Sequence, residues 1–323
     1  MMNTTPRLSI GLPVYNGENH LTESIEALLG QSYEDFELII SDNASTDSTA
    51  DICRTYGRQD SRIRYIRQPR DIGRVPNHNF LIEQARGELF KWAACDDLYA
   101  RDLIKRCVDA LDEYPQVVLA HSWEAIIDDA GAVVCLVDYP VTTTARRAPD
   151  RFRSMLFDGW GDDGYGVIRT EILRRTPLHG SYHLADRTFT TELALHGAFY
   201  QVPDWLFFRR DAPARTFTVR ERCAYMDPRR GDPLRYPVAR LYGEYAWAYI
   251  SMIRNAPLTA AERYECYRHL ARWAGGRVLP LAHRVLRSEA WHNRAPANSE
   301  PAAAGRPAIS VAALVAGQER KAS

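Results

Sequence analysis

The sequence predicts an α/β protein: a doubly wound, mostly parallel sheet over residues 8–122, followed by further mixed structure and a C-terminal helical extension. Two observations predict it. Short apolar runs bounded by turn residues alternate with segments of helical spacing, the pattern of a parallel sheet whose crossovers are helices. From residue 234 to 290 the pattern is helical only, and Tyr242, Tyr245, Tyr249 and Ile253 fall on one stripe that reads as packing.

Each element follows in chain order. Residues 8–14 are a short apolar strand, and 18–29 carry Leu21, Ile25, Leu28 and Leu29 on one helical face. Residues 36–41 form the next strand, and 46–56 a helix behind capping residues at Asn43, Ser45 or Thr46. A third strand over 63–67, a helix over 77–85 and a fourth strand over 88–94 complete a βαβαβαβ unit. After a helix over 100–113 and a strand over 117–122, residues 123–127 and 132–137 read as a hairpin turning at Asp128-Asp129-Ala130-Gly131. The stretch 142–222 mixes helices with short strands and is expected to shape a second pocket. Beyond about residue 293 the chain is rich in Ala, Pro, Gly and Ser, the composition of a disordered tail.

Bulk properties narrow the function. The 323 residues suffice for one large domain or two modest ones, and 46% hydrophobic with 25% charged residues is ordinary for a soluble chain. Lys and Arg number 41, as do Asp and Glu, so a nucleic acid or other polyanion partner is not expected. The cysteines at 53, 95, 107, 135, 223 and 266 show no CxxC pair and no zinc spacing, which suits reduced thiols and a cytoplasmic location. No basic segment followed by an apolar stretch opens the chain, and no run reaches the length of a membrane span.

Three clusters fall at carboxyl ends of strands, where open α/β sheets hold their ligands. They are Gly11-Leu12-Pro13-Val14-Tyr15-Asn16-Gly17, Ser41-Asp42-Asn43-Ala44-Ser45-Thr46-Asp47, and the apolar run Phe90 to Ala94 ending in Cys95-Asp96-Asp97. Neighbouring strand residues face opposite ways, so Asp96 and Asp97 can do different jobs, one toward a nucleotide and one toward a hard cation that prefers oxygen. Tyr15 offers a ring to a base, and Asp42 an acceptor for its imide or amino proton. Packing is the alternative for Tyr15 and helix capping the alternative for Asp42.

With Ala85-Arg86-Gly87-Glu88 leading to Asp96-Asp97, these stretches resemble the inverting GT-A glycosyltransferases of the large family 2 group. The resemblance implies a metal-dependent hexosyltransferase-type enzyme. Residues 1–122 would form the nucleotide-sugar half, 123–225 the acceptor and catalytic-base half of the same domain, 226–292 the helical extension and 293–323 the tail. It also implies that Pro13, Val14 and Tyr15 line the base pocket, that Asp42 bonds the base and Asp96 lies near the ribose. Asp97 would bind Mg2+ or Mn2+ at the diphosphate of a UDP-, GDP- or dTDP-sugar. Arg74, in the loop Arg67 to Arg74, is the candidate phosphate contact, while Asp71-Ile72-Gly73 departs from the family's Asn-x-Gly.

For the base, the family carries an acidic pair where this chain has Ala185-Asp186, leaving Asp186, with His183 as fallback. Ala212 stands where relatives often place a metal-binding His. Trp160 and Asp163 are expected on the acceptor side, toward a carbohydrate or small-molecule acceptor; Gly159-Trp160-Gly161-Asp162-Asp163-Gly164 matches the dinucleotide fingerprint only in letters, lacking the strand before it and the helix after it. The C-terminal helices are expected to face a second subunit or a membrane surface. Two other readings are a sugar-1-phosphate nucleotidyltransferase and an idle nucleotide-binding relative. The first needs a cationic Gly-rich loop after the first strand, which 11–17 lacks; the second draws on Ala185 and Ala212.

Overall fold

The computed structural model describes residues 5–137, 139, 143–158, 163–182, 184–211, 217–276, 299–301 and 309–311. Four parallel strands form its centre: β1 (Leu8–Val14), β2 (Phe36–Asp42), β3 (Ile63–Arg67) and β4 (Leu89–Trp92), in the order β3-β2-β1-β4. Leu8 lies beside Phe36 on one side and Leu89 on the other. The connecting helices are α1 (Leu21–Leu29), α2 (Thr49–Gln59) and α3 (Arg74–Gln84). After the short β5 (Leu98–Tyr99) come α4 (Leu103–Glu113), the long β6 (Val117–Ile127) and its hairpin partner β7 (Ala132–Val137).

The second half inserts into this sheet. After α5 (Ala148–Phe157) and a 3-10 turn (Asp163–Tyr165), β8 (Val167–Arg169) runs antiparallel between β4 and β6. Then α6 (Thr170–Leu173), α7 (Ala185–His196) and β9 (Ala198–Arg210) follow, with β9 parallel to β6 and antiparallel to β5. The mixed sheet carries helices on both faces, and two buried clusters show why. Leu8, Ile10 and Leu12 pack toward Leu21, Ile25 and Leu103, whereas Phe90 and Trp92 pack toward Leu81 and Phe189. Side chains alternating across central strands thus cover two helix layers.

The helical extension consists of α8 (Val219–Met226), a 3-10 turn (Pro228–Gly231), α9 (Val238–Asn255) and α10 (Ala260–Gly275). Tyr245, Tyr249 and Ile253 pack with Phe152 of α5 and Leu195 of α7, while Tyr242 lies beside the smaller cluster of Val219 and Cys223. Among the described residues no helix is long and apolar enough to cross a membrane. All six cysteines are free thiols.

Two details differ from the sequence reading. The expected hairpin arm 123–127 is not a separate strand but the end of β6, which runs unbroken from Val117. Within the tail expected to be disordered, β10 (Ser299–Pro301) and β11 (Ile309–Ser310) pair antiparallel with β7. Composition argues against a packed core there, but an open strand edge supplies backbone partners that need no apolar side chains.

Gly87 shows how tightly the fourth strand is entered. A Cβ there would lie 2.7 Å from the Ser9 nitrogen and 2.8 Å from the Arg7 oxygen, both backbone. Gly87→Ala is expected to destabilise the fold by about 1–3 kcal/mol, the range of overpacked sites, as a fall in the urea midpoint.

Candidate active site

Because β1, β2 and β4 are parallel neighbours, their carboxyl ends and following loops share one edge. Asn16 takes a left-handed backbone (φ 51°), which its short amide side chain tolerates. Its N–H donates to Ser45 Oγ (2.9 Å), its Oδ1 accepts from the Thr46 N–H (2.8 Å), and the Gly17 N–H donates to Thr49 Oγ1 (2.8 Å). Asp47 accepts from the Glu18 N–H (3.1 Å), and Glu18 from the Ser48 N–H (3.0 Å). These bonds join the two loops and delay both helices: α1 starts at Leu21 rather than residue 18, and α2 at Thr49 rather than 46.

Asn43, expected among the caps of α2, instead reaches the loop after β3. Its amide donates to Asp71 Oδ1 (2.6 Å) and accepts from the Ile72 N–H (2.9 Å). Gly73 (φ 94°) then opens α3 at Arg74, and Pro76 fits the first turn, where its missing N–H costs nothing. Asp71 is occupied within this loop, since the same oxygen accepts from the Gly73 N–H (2.8 Å).

Asp42 is wholly buried. One carboxylate oxygen accepts from the Ser45 N–H (2.8 Å); the other accepts from the Tyr65 hydroxyl (2.7 Å) and lies 3.4 Å from Arg67. Burial and the bond to Asp42 push Tyr65 up to about 12, so its proton stays in place to donate. Both oxygens of Asp42 thus engage the protein. Its charge holds the loop and Tyr65, while Tyr15, 51% exposed, is the open group of the first cluster. Pro13 is half-buried and Val14 buried.

At the end of β4, Asp97 is 3% exposed and Asp96 half-buried. Asp97 Oδ1 accepts from the Arg210 N–H (2.9 Å) at the end of β9. The Arg210 guanidinium donates to the carbonyl oxygens of Asp96 (2.9 Å), Asp128 (2.8 Å) and Asp129 (2.7 Å) and to the Glu23 carboxylate (2.9 Å). One buried cation thus ties the acidic pair to the β6–β7 turn and to α1. Cys95 sits between clusters: a Cβ on Gly17 would lie 3.5 Å from its Sγ, and burial, then Asp96, pushes its thiol up to about 12. It is a protonated spacer, not a nucleophile.

Arg74 reaches the same edge from α3. It donates to the Tyr225 hydroxyl of α8 (3.0 Å).

A family model described as glycosyl transferase family 2 matches residues 9–146. Residues 9–146 thus carry a glycosyltransferase family 2 domain. It is 26% identical over 215 residues to the glycosyltransferase GlyG of Streptococcus pneumoniae, a match covering 63% of this chain and 68% of GlyG. It is 29% identical over 113 residues to the putative teichuronic acid biosynthesis glycosyltransferase TuaG of Bacillus subtilis, covering 35% and 45% of the two chains. Among solved structures, S. aureus TarS 1–349 in complex with UDP-GlcNAc superposes with a TM-score of 0.61 at 17% identity, covering 84% of this chain and 73% of that one. At that identity the likeness speaks for the GT-A fold.

In this glycosyltransferase, Asp186 stands in the first turn of α7, its side chain 40% exposed. One of its oxygens accepts from the Arg187 N–H (3.0 Å), and the other lies 3.8 Å from the Arg222 guanidinium of α8. Trp160, His183 and Ala212 lie outside the described residues, and Asp163 is described only as the first residue of a 3-10 turn. The described elements on either side of 159–164 are α5 before it and β8 after it, not the strand and helix that a dinucleotide fingerprint joins. The turn packs on α7, where a Cβ on Gly164 would lie 3.4 Å from Thr190.

Sequence reasoning assigned Arg210 no role, although two arginines ending an apolar strand were a usable signal. Tyr65, Arg222 and Tyr225 carried none. Lys91 was overlooked as well: it is buried under Asp97, donates to the Tyr165 carbonyl and lies 5.1 Å from the Tyr99 ring centre.

Burial lowers Lys91 from 10.5 to about 8. Below pH 8 folded and unfolded chains both hold the proton and the burial penalty is whole; between about 8 and 10.5 the unfolded chain binds more protons, so stability rises with pH. Lys91→Met is expected to abolish this rise, so that the urea midpoint of the variant falls relative to the parent as pH climbs from about 8 to 10.5.

Proposed function

We propose that this chain transfers a sugar from a nucleoside diphosphate sugar to an acceptor hydroxyl or amine in a single, inverting displacement. The observation that carries the reading is that the loop bearing Tyr15 lies against the turn of the Asp96-Asp97 pair while α8 links Arg74 to Asp186. Gly17 meets Cys95, Arg74 meets Tyr225, and Arg222, on the same helix as Tyr225, faces Asp186.

Tyr15, beside Pro13 and Val14, is assigned to the face of the base. Asp42 is assigned to hold that pocket from behind, through Tyr65 and the loop, rather than to touch the base. Arg74 stands at the start of α3, where cation and helix N-terminus both favour phosphate oxygens. Asp186 accepts the acceptor's proton as its oxygen attacks the anomeric carbon. The acceptor is assigned to the side of the 3-10 turn that packs on α7.

The acidic pair fits a divalent cation by donor type, since Mg2+ and Mn2+ take carboxylate oxygens. Among the described residues no third His, Cys, Asp or Glu joins them, so phosphate oxygens and water would complete the shell. Such a cation, when bound, offsets the charge that develops on the departing diphosphate. Asp97, with Arg210 behind it, and Asp96 would hold it.

The test is calorimetry with UDP, GDP and dTDP with and without Mn2+, followed by mass spectrometry of nucleoside diphosphate released from the matching sugars. UDP-GlcNAc comes first, since TarS is solved with it. One nucleoside diphosphate should bind more tightly with Mn2+ and be released from its sugar with acceptor present. Consumption of a nucleoside triphosphate and a sugar phosphate, or no binding at all, would sink the reading.

A further inference from the structure

We infer that Arg222 is a positioning residue for Asp186, held in register by α8, an inference that rests on the transferase reading above. Nothing in the sequence marks α8 as part of the site, yet its contacts place it there. It is a short helix with a firm start: Thr218 Oγ1 accepts from the Glu221 N–H (3.2 Å) while Glu221 accepts from the Thr218 N–H (2.7 Å), a reciprocal capping box. Val219 and Cys223 are buried with Leu241 of α9, which fixes the rotation of the helix about its own axis.

With that face inward, Arg222 and Tyr225 reach two other helices. Residues three apart on a helix are surface neighbours, so one face of α8 bridges the openings of α7 and α3. Arg222 lies 3.8 Å from Asp186 in the first turn of α7, and the Tyr225 hydroxyl receives Arg74, the first residue of α3 (3.0 Å). Just beyond α8 the chain closes on α3 again: a Cβ on Gly73 would lie 2.8 Å from Pro228 Cδ and 3.1 Å from Asp227 Cα. Asp227 is itself clamped by Arg229 (2.9 and 2.8 Å). The strap is therefore anchored at both ends, and Arg222 sits between the anchors.

The consequence is geometric. Asp186 is 40% exposed, and within α7 its side chain accepts only from the adjacent Arg187 N–H. At 3.8 Å the Arg222 contact is a charge attraction rather than a hydrogen bond, so it aims the carboxylate without occupying the oxygen that must take the proton. Arg222 acts through Asp186.

The test compares R222A, R222Q and R222K with D186N in the full chain, using the donor identified by the screen above. R222A is expected to lower kcat about 10–100-fold, the scale of a misplaced catalytic group, while donor KM stays within about twofold. R222K should recover part of the rate, and guanidinium ion at millimolar concentration should rescue R222A but not D186N. If R222A proves unfolded by circular dichroism, R222Q carries the same comparison. An R222A or R222Q rate within twofold of the parent overturns the inference, as does a loss that guanidinium leaves unchanged or that appears only in donor KM. An active D186N would instead remove the base assignment itself, a distinct outcome.

Discussion

Asp186→Asn is expected to lower kcat by about 10²–10⁴-fold, the span typical of a lost general base, while nucleoside diphosphate affinity stays close to that of the parent. The reasoning is that Asp186 lies in the first turn of α7, whereas the proposed donor contacts come from the loops after β1 and β4 and from α3. The amide keeps the size of the carboxylate and can still accept from the Arg187 N–H, so the fold should not register the change. Rate is read as released nucleoside diphosphate and binding by calorimetry. A variant that transfers sugar within a few-fold of the parent would assign the base elsewhere.

Arg210→Met is expected to have the largest effect on stability. The side chain is 3% exposed, and its removal takes a donor from the carbonyl oxygens of Asp96, Asp128 and Asp129, of which Asp128 keeps the Gly131 N–H (3.0 Å). A buried acceptor left unpaired costs about 1–3 kcal/mol, and a loss of that size is expected from urea unfolding. The Glu23 contact adds little because that carboxylate is 58% exposed. Donor affinity should fall too, since the turn carrying Asp96 and Asp97 loses its tie. Arg209→Met is the control: it removes the 2.6 Å bond to Glu124 from a side chain 27% exposed, and should cost clearly less. Equal losses for the two variants would deny Arg210 its central place.

The strands were legible because apolar runs bounded by turn residues leave few alternatives: residues 8–14 and 63–67 were read with the bounds the structure has. Helix starts were harder. Asn43, Ser45 and Glu18 look like capping residues, but each bonds a loop 28–30 positions away, and Asp47 does so as well while also accepting from the Thr49 N–H that opens α2 (3.0 Å). That choice depends on which loops become neighbours, which local pattern does not encode. Asp42 illustrates the same limit within the site: its presence at a strand end was readable, its inward turn toward Tyr65 was not. The acidic pair was legible as a motif, while its support by Arg210 joins residues more than a hundred positions apart.

The bonds between the loops after β1, β2 and β3 also bear on redesign. Asn16, Asn43, Ser45 and Asp71 each engage a backbone or side chain of another loop, so the three segments behave as one interchangeable cassette. A graft meant to alter base recognition by swapping residues 13–18 alone would leave Ser45, Asp47 and Thr49 facing foreign partners. Exchanging 13–18, 41–49 and 71–73 together keeps those bonds internal to the transplant, and Tyr65, Arg67, Gln68 and Asn77, which all bond residues 41–45, then set the boundary at which donor and host sequences must agree.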